Sequence, residues 1–234
     1  MPADSEPNAL IPSIPSNVPA NVPANAVVTI SATYGAGGSV IAPRLAERLR
    51  MQFFDRLLHN TEGQQAASIV ERFTDAEREQ APATGILASL ANLTSVLGLP
   101  VSGADADPRR QLRRQVETSV QEVVAGGGGV ILGRAAAVVL AGNPSAFNVR
   151  LMGPPERRLL QGMAIEGVAE AEGRAHQADT DKAWSKFVLR LFDKDPSDPA
   201  LYHLVIDSTA LPLDASVDLI ATAAQAFWAH SVSA

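Results

Sequence analysis

A glycine-rich turn between a predicted strand and a predicted helix constrains this chain more than any other stretch. Residues 27–31 are mostly apolar and β-branched, residues 33–39 hold three glycines, and residues 40–50 are predicted to be helical. Glycines let successive backbone N–H groups turn toward one anion, and the following helix adds its unpaired N–H groups and the positive end of its dipole. This order predicts a phosphate-binding loop, with a merely tight turn as the alternative.

The turn matches the phosphate-binding motif G-x-x-x-x-G-K-[ST] only in part. When the motif is laid on residues 32–39, Gly37 and the hydroxyl of Ser39 fit, but Ala32 replaces the first glycine and Gly38 replaces the lysine. That lysine normally reaches the β- and γ-phosphates of a nucleotide. Phosphoryl transfer requires positioning and neutralisation of charge, so the cation need not belong to the loop itself.

Composition excludes several functional classes. The chain has 234 residues, 46% of them hydrophobic, which is enough for one sizeable core. It has no cysteine, and its four histidines lack metal-ligand spacing, so thiolate–metal sites and cysteine nucleophiles are excluded. A net charge of −6 disfavours broad nucleic-acid binding, and no apolar run reaches the roughly 20 residues that span a membrane. Because no signal-peptide pattern is present, we expect a cytoplasmic protein without nucleic-acid or membrane partners.

The order of predicted elements gives the fold class. Residues 1–25 are rich in proline, alanine and asparagine, which predicts a disordered tail. After the turn, short apolar strands alternate with helices, and this alternation predicts a doubly wound α/β fold with a parallel sheet. Pro43 predicts that the first helix begins late or kinks, and a later amphipathic helix is predicted over 179–192.

Two charged residues close to predicted strand ends are candidates for chemistry, because parallel α/β sheets bind their ligands at the carboxyl ends of the strands. Asp55 ends the predicted second strand, and Arg134 follows the predicted strand at 130–132. Capping or surface ion pairing is the alternative interpretation for both side chains.

Two groups of basic side chains on predicted helices are further candidates, because a guanidinium binds a phosphate through two parallel hydrogen bonds. The first group consists of arginines 109, 110, 113 and 114. The second consists of Arg157, Arg158, Lys182, Lys186 and Arg190. Solvated helix surface is the alternative for both groups. The chain has three lysines, at 182, 186 and 194, so a cation for a transferred phosphoryl group is an arginine or one of these lysines.

Several motifs together resemble the cytidylate-kinase-like family of P-loop nucleoside monophosphate kinases. They lie, in chain order, at 30–39, 54–55, 132–134, 155–157, 179–182 and 201–209. The resemblance covers about 27–228. It implies a three-layer α/β/α, P-loop NTPase-like parallel sheet over 26–230, with a helical insertion at 60–125 and a helical lid at 154–195.

The resemblance also implies roles for the candidate residues. The ATP site would consist of Tyr34, Gly35, Ala36, Gly37, Gly38 and Ser39, with Asp207 beside the adenine. Ser39 would also lie near Mg²⁺. The acceptor nucleotide would be bound by Asp55, Arg113 and Arg134, and Arg157 and Lys182 would contact phosphates as the catalytic cations.

The chain departs from the cytidylate kinase pattern at several positions. Gly38 replaces the loop lysine, Ala135 replaces an aspartate, and Lys182 with Trp184 replaces two lid arginines; relatives without the lysine commonly carry an arginine where this chain has Ala32. The leading hypothesis is a kinase that transfers the ATP γ-phosphoryl group to CMP or dCMP, with Mg²⁺. A nucleotide-binding pseudokinase is the first alternative. A structural interaction protein that uses the apolar stretch 85–99 is the second.

Overall fold

A computed structural model describes residues 22–55, 108–133 and 135–231. In this part of the chain the strands are β1 Val27–Ala32, β2 Phe53–Phe54, β3 Gly129–Leu132, β4 Ala146–Met152 and β5 Leu204–Asp207. They form one parallel sheet in the order β2-β3-β1-β4-β5. The predicted parallel α/β sheet is therefore confirmed, and β1 lies at its centre.

Helices cover both faces of this sheet. They are α1 Gly38–Leu49, α2 Pro108–Ala125, α3 Ala136–Val139, α4 Pro155–Glu166, α5 Glu170–Phe192 and α6 Leu213–Ser231. On one face, Val28 and Ile30 of β1 share a buried core with residues of α1 and α6. On the other face, Val27 packs with residues of α2 and α3, and α5 packs on α2. The alternation of side chains along β1 thus produces the predicted three layers.

The helix after the turn begins at Gly38 and contains Pro43 without ending there. Of the two expectations at this proline, the late start was wrong, and the kink stays a prediction. Ile41, Leu45 and Leu49 form a buried stripe on this helix. Burial against the sheet stabilises a helix more than local propensity does, which explains why one missing backbone hydrogen bond is tolerated.

The fifth helix begins at Glu170, earlier than the predicted start at Asp179. Its first turns are mostly polar and exposed, and Gly173 is the residue that packs inward, close to Leu159 and Met163. A small residue gives no apolar periodicity, so the pattern did not reveal this part of the helix. No described helix is long and apolar enough to cross a membrane.

Some predictions fall outside the described residues. They are most of the tail at 1–25, the part of the insertion up to residue 107 with its apolar stretch 85–99, and Arg134. The described chain starts at Val22, which packs against the main core.

Candidate functional site

The front of the glycine turn presents backbone N–H groups. Gly35 and Gly37 have φ angles of 71° and 76°, a region that glycine adopts without strain. Within the described residues, no acceptor is bonded to the N–H groups of Gly35, Gly37, Gly38 or Ser39. Gly37 is the N-cap of α1, so the positive end of that helix adds to the same surface. The front of the turn therefore suits an anion such as a phosphate.

The back of the turn is held by side chains. Three of them donate hydrogen bonds to successive carbonyls: Arg158 Nη1 to Tyr34 O at 2.8 Å, Gln161 Nε2 to Gly35 O at 2.9 Å, and Ser208 Oγ to Ala36 O at 2.7 Å. In a planar trans peptide, a carbonyl and the next N–H point in opposite directions. Fixing the carbonyls of residues 34 and 36 therefore turns the N–H groups of Gly35 and Gly37 toward the front.

An ion pair joins the turn to α4 and α5. Arg158 is buried, and its Nη1 also donates to Oδ2 of Asp181 at 2.8 Å. Oδ1 of Asp181 accepts the backbone N–H of Tyr34 at 2.8 Å. Because the same two side chains bind the N–H and the carbonyl of Tyr34, they fix both the position and the orientation of this residue.

The Tyr34 side chain adds a second attachment. Its hydroxyl donates to Oε2 of Glu166 at 2.7 Å, and His176 lies edge-on to its ring. Burial, followed by the bond to Glu166, raises the pKa of Tyr34 well above its usual value. The phenol therefore stays protonated and keeps its hydrogen bond throughout the physiological pH range.

The turn and α4 are in direct backbone contact. A Cβ atom added at Gly35 would lie 1.9 Å from the carbonyl oxygen of Arg158, and one added at Gly162 would lie 2.7 Å from Cε1 of Tyr34. Glycine at 35 thus satisfies two demands, a left-handed φ and close approach to a helix. Glycine at 162 lets the tyrosine ring pack on that helix.

The two departures from the phosphate-binding motif touch each other. A Cβ atom at Gly38 would lie 2.7 Å from Cβ of Ala32 and 3.2 Å from Cδ1 of Leu132. The methyl group at position 32 therefore takes the space that a side chain at position 38 would need. The two departures are therefore sterically linked: Ala32 replaces the motif's glycine, and its methyl group leaves room only for glycine at position 38, where the motif has lysine.

Arg157 and Asp207 come together beside the turn. Arg157 Nη2 donates to Oδ2 of Asp207 at 2.5 Å, and both side chains remain partly exposed. The hydroxyl of Thr209 donates to Oδ1 of Asp207, and this bond is the main reason that the pKa of Asp207 lies below its usual value. The sequence had assigned these two residues to the phosphates and the adenine respectively, and here they pair with each other.

The other predicted residues are spread around the carboxyl edge of the sheet. Lys182 is exposed on α5, and Ser39 is exposed in the first turn of α1. Asp55 is exposed just after β2, two strands away from β1 in the sheet. On α2, Arg113 Nε donates to Glu117 Oε1 at 2.7 Å, and its guanidinium carbon lies 5.4 Å from the ring centre of Phe192. Arg134 lies outside the described residues.

Family comparison agrees with this geometry. The model of the cytidylate kinase-like family matches residues 27–210. The chain belongs to this family. The match includes the glycine turn, all five strands, and helices α4 and α5. A search of curated proteins finds no match.

Solved structures give further likenesses at low sequence identity. An uncharacterized protein from Eubacterium ventriosum ATCC 27560 is 16% identical, with a TM-score of 0.57, and the alignment covers 84% of this chain and 96% of that one. A gluconokinase from Sinorhizobium meliloti 1021 is 14% identical, covering 89% and 94%, with a TM-score of 0.42. A shikimate kinase from Bacteroides thetaiotaomicron is 12% identical, covering 84% and 94%, with a TM-score of 0.40. At such identities a likeness concerns the fold alone.

The residues that hold the turn of this cytidylate kinase-like protein were missed by the sequence analysis, or given another role. Arg158 was grouped with other basic side chains, Asp181 and Ser208 lay within the resembling motifs without a role in holding the turn, and Gln161 was not singled out. On α4, the buried residues Arg158, Leu159 and Gly162 share one face. A glycine inside an amphipathic helix, one turn after an arginine on the buried face, was the available signal of close contact.

A metal ion would find few protein ligands at this site. Within the described ranges, no group of three acidic or histidine side chains could hold one. The protein ligand predicted for Mg²⁺ is the hydroxyl of Ser39, which is exposed. Magnesium commonly keeps waters and phosphate oxygens as ligands, with only one or two from the protein, so the residues present fit Mg²⁺ delivered with a nucleotide.

Proposed function

We propose that this protein transfers the γ-phosphoryl group of ATP to a nucleoside monophosphate, with CMP or dCMP as the first acceptors to test. The observation that best supports this proposal is at the front of the turn. There the N–H groups of Gly35, Gly37, Gly38 and Ser39 are bonded to no described acceptor. Preorganised donors of this kind stabilise the negative charge on a transferring phosphoryl group without reorganisation. Membership of the cytidylate kinase-like family supports the reaction class.

In this proposal the turn from Tyr34 to Ser39 binds the phosphates of ATP, and Asp207 lies beside the adenine. The Ser39 hydroxyl holds Mg²⁺, which when bound neutralises charge shared between the β- and γ-phosphates. The site fits a cytoplasmic enzyme, where ATP and Mg²⁺ are abundant.

Arg157 and Lys182 supply the positive charge that the turn lacks at Gly38. The pair of Arg157 with Asp207 is 47% and 36% exposed, so exchanging the carboxylate for a phosphate costs little. The side chain of Lys182 is exposed and forms no hydrogen bond with another described residue. The helices at 154–195 then act as a lid, because Arg157 lies on the first of them and Lys182 on the second.

The acceptor lies on the opposite side of the transferred group, near Asp55, Arg113 and Arg134. Asp55 and Arg113 follow or flank the carboxyl edge of the sheet on the side of β2 and α2. The proposed helical insertion at 60–125, which ends with α2, would supply the rest of this pocket.

A coupled assay with ATP, Mg²⁺ and each common nucleoside monophosphate tests the proposal. We expect turnover with CMP or dCMP, and a lower kcat for Arg157→Ala and Lys182→Ala. Arg44→Ala is the matched control, because Arg44 forms an exposed ion pair with Asp214 on the helices of the opposite face. Absence of transfer to every acceptor, from protein shown to be folded, would overturn the proposal.

A nucleotide-binding pseudokinase is the second candidate, and one observation favours it. The buried cation closest to the turn, Arg158, is bonded to Tyr34 O, Gly153 O and Asp181, so its charge is already compensated. This candidate predicts that ATP or ADP raises the Tm without any phosphoryl transfer. Measuring both quantities on one preparation separates the two functions.

A further inference from the structure

A polar ladder crosses the buried face of the sheet below the turn. Thr29 Oγ1 of β1 donates to Asn148 Oδ1 of β4 at 2.8 Å, and one step closer to the turn Arg150 Nη1 donates to Ser31 Oγ at 2.6 Å. The members of each pair are register partners in neighbouring strands. All four side chains are buried on the face that carries α2, α3 and α5.

The charge of Arg150 has no direct counter-ion in the described ranges. The residue is 8% exposed, and Ser31 Oγ is its one hydrogen-bond acceptor there. No described carboxylate forms an ion pair with it. Its other contact is the ring of Tyr202, whose centre lies 5.8 Å from the guanidinium carbon. A guanidinium has several N–H donors in a planar fork, and Nε and Nη2 of Arg150 donate to no described acceptor.

The lack of a direct counter-ion distinguishes Arg150 from Arg158. Arg158 is 7% exposed, nearly the same as Arg150, yet it binds a carboxylate and two carbonyls. Burying an arginine without such partners is costly. The closest acidic influence is Asp195, whose pKa is lowered chiefly by hydrogen bonds from Ser197 and only lastly by the charge of Arg150. Asp195 is exposed and already bonded, so it does not compensate the buried cation.

The groups around Arg150 are arranged to receive an anion. Ser31 Oγ accepts the bond from Arg150 and lies 3.4 Å from the hydroxyl oxygen of Tyr202. The Tyr202 hydroxyl donates to Pro196 O at 2.7 Å, which fixes the ring beside the guanidinium. The guanidinium of Arg150 therefore offers charge-assisted donors beside two hydroxyls, and Ser31 lies two residues before the turn begins at Thr33.

We propose that Arg150, Ser31 and Tyr202 form a second anion-binding subsite. This subsite binds an oxyanion group, either a phosphate or a carboxylate, of the molecule that accepts the phosphoryl group. The assignment to the acceptor rests on the proposed function, in which the front of the turn is occupied by the donor's phosphates. The subsite lies on the α2 and α5 face, whereas α1 begins on the opposite face. Two separate anion sites would hold the two substrates of one transfer reaction.

Arginine side-chain NMR on the full chain tests the subsite directly. The Nε–H signal of Arg150, identified by its absence in Arg150→Lys, is followed during titration with sodium phosphate, sodium acetate and sodium chloride at constant ionic strength. We expect a saturable shift with phosphate or acetate and none with chloride. A response to phosphate at lower concentration indicates a phosphorylated acceptor, and a response to acetate at lower concentration indicates a carboxylate acceptor. An Arg150 signal that follows neither oxyanion overturns the subsite.

The same spectra keep this proposal separate from the proposed function. Backbone N–H signals of Gly37 and Gly38 report the turn, so their response to ATP with Mg²⁺ is read independently of Arg150. If transfer occurs, Arg150→Lys should raise the acceptor KM about tenfold, a loss of about 1.4 kcal/mol, and leave the ATP KM unchanged. Arg48→Met is the control, because Arg48 pairs with Asp218 on the opposite face, and it should change neither KM. An increase in the ATP KM alone would contradict the assignment to the acceptor.

Discussion

The front and the back of the glycine turn are built by different means. The front consists of backbone N–H groups and the start of α1, whereas the back consists of side chains from α4, α5 and the segment after β5. The front provides the chemistry, and the back fixes its orientation. Replacing one side chain at the back should therefore change binding at the front, although that side chain never contacts the ligand.

The largest effect is expected at Gly35, where front and back meet. In Gly35→Ala the new Cβ would lie 1.9 Å from the Arg158 carbonyl oxygen, so α4 must move away from the turn. Gly142→Ala is the matched control, because Gly142 has a φ of 79° and no atom within 4 Å of its Cβ position. We expect the control to lower the free energy of unfolding by about 1 kcal/mol and Gly35→Ala to lower it by about 3 kcal/mol or more. Urea unfolding measures both, and equal losses would show that α4 does not constrain the turn.

A smaller effect is expected from Arg158→Met, which breaks the back of the turn without adding volume. The variant leaves Tyr34 O and the Asp181 carboxylate without their shared donor. We expect ATP affinity to fall about 10- to 100-fold, which corresponds to about 1.4–2.8 kcal/mol. Isothermal titration calorimetry measures this loss.

Two further variants help to interpret the result for Arg158→Met. Asp181→Asn combined with it should cost less than the sum of the single changes, because the two side chains act as a pair. Arg157→Met is the control at the neighbouring position, and its effect on ATP binding should be smaller because Arg157 contacts Asp207 rather than the turn. A greater loss of affinity in Arg157→Met would reverse the assignment of the two arginines.

The smallest expected effect comes from restoring the motif at the front. Gly38→Lys alone places its Cβ 2.7 Å from Ala32 Cβ, whereas the double variant with Ala32→Gly removes that contact. We expect the two changes to be coupled by about 1–2 kcal/mol in stability, and the double variant to bind ATP about threefold to tenfold more tightly. Additive effects on stability would refute the steric link between positions 32 and 38.

The front was predictable from the sequence because its information is local. The apolar strand, the glycines and the following helix lie within residues 27–50, and the same alternation of strands and helices indicated the parallel sheet. The back was not predictable because its contacts join distant parts of the chain. Tyr34 and Arg158 are 124 residues apart, and Ala36 and Ser208 are 172 apart. Helical periodicity alone did not distinguish Arg158 from Arg157, or Asp181 from Lys182.

The buried ladder was unpredictable for a related reason. Arg150 lies in β4, and nothing in the local sequence pattern shows that its side chain is enclosed. Only the pairing of β4 with β1, and the ring of Tyr202, place the cation inside the protein.

The proposed function depends above all on phosphate binding by the backbone N–H groups at the front of the turn. An amide NMR titration of the ¹⁵N-labelled full chain with ATP and Mg²⁺ tests it most directly. We expect saturable shifts of the N–H signals of Gly35, Gly37, Gly38 and Ser39 at one common dissociation constant, with smaller changes at Gly142. Nucleotide binding that leaves these four signals unmoved, or no binding at all by folded protein, would contradict it.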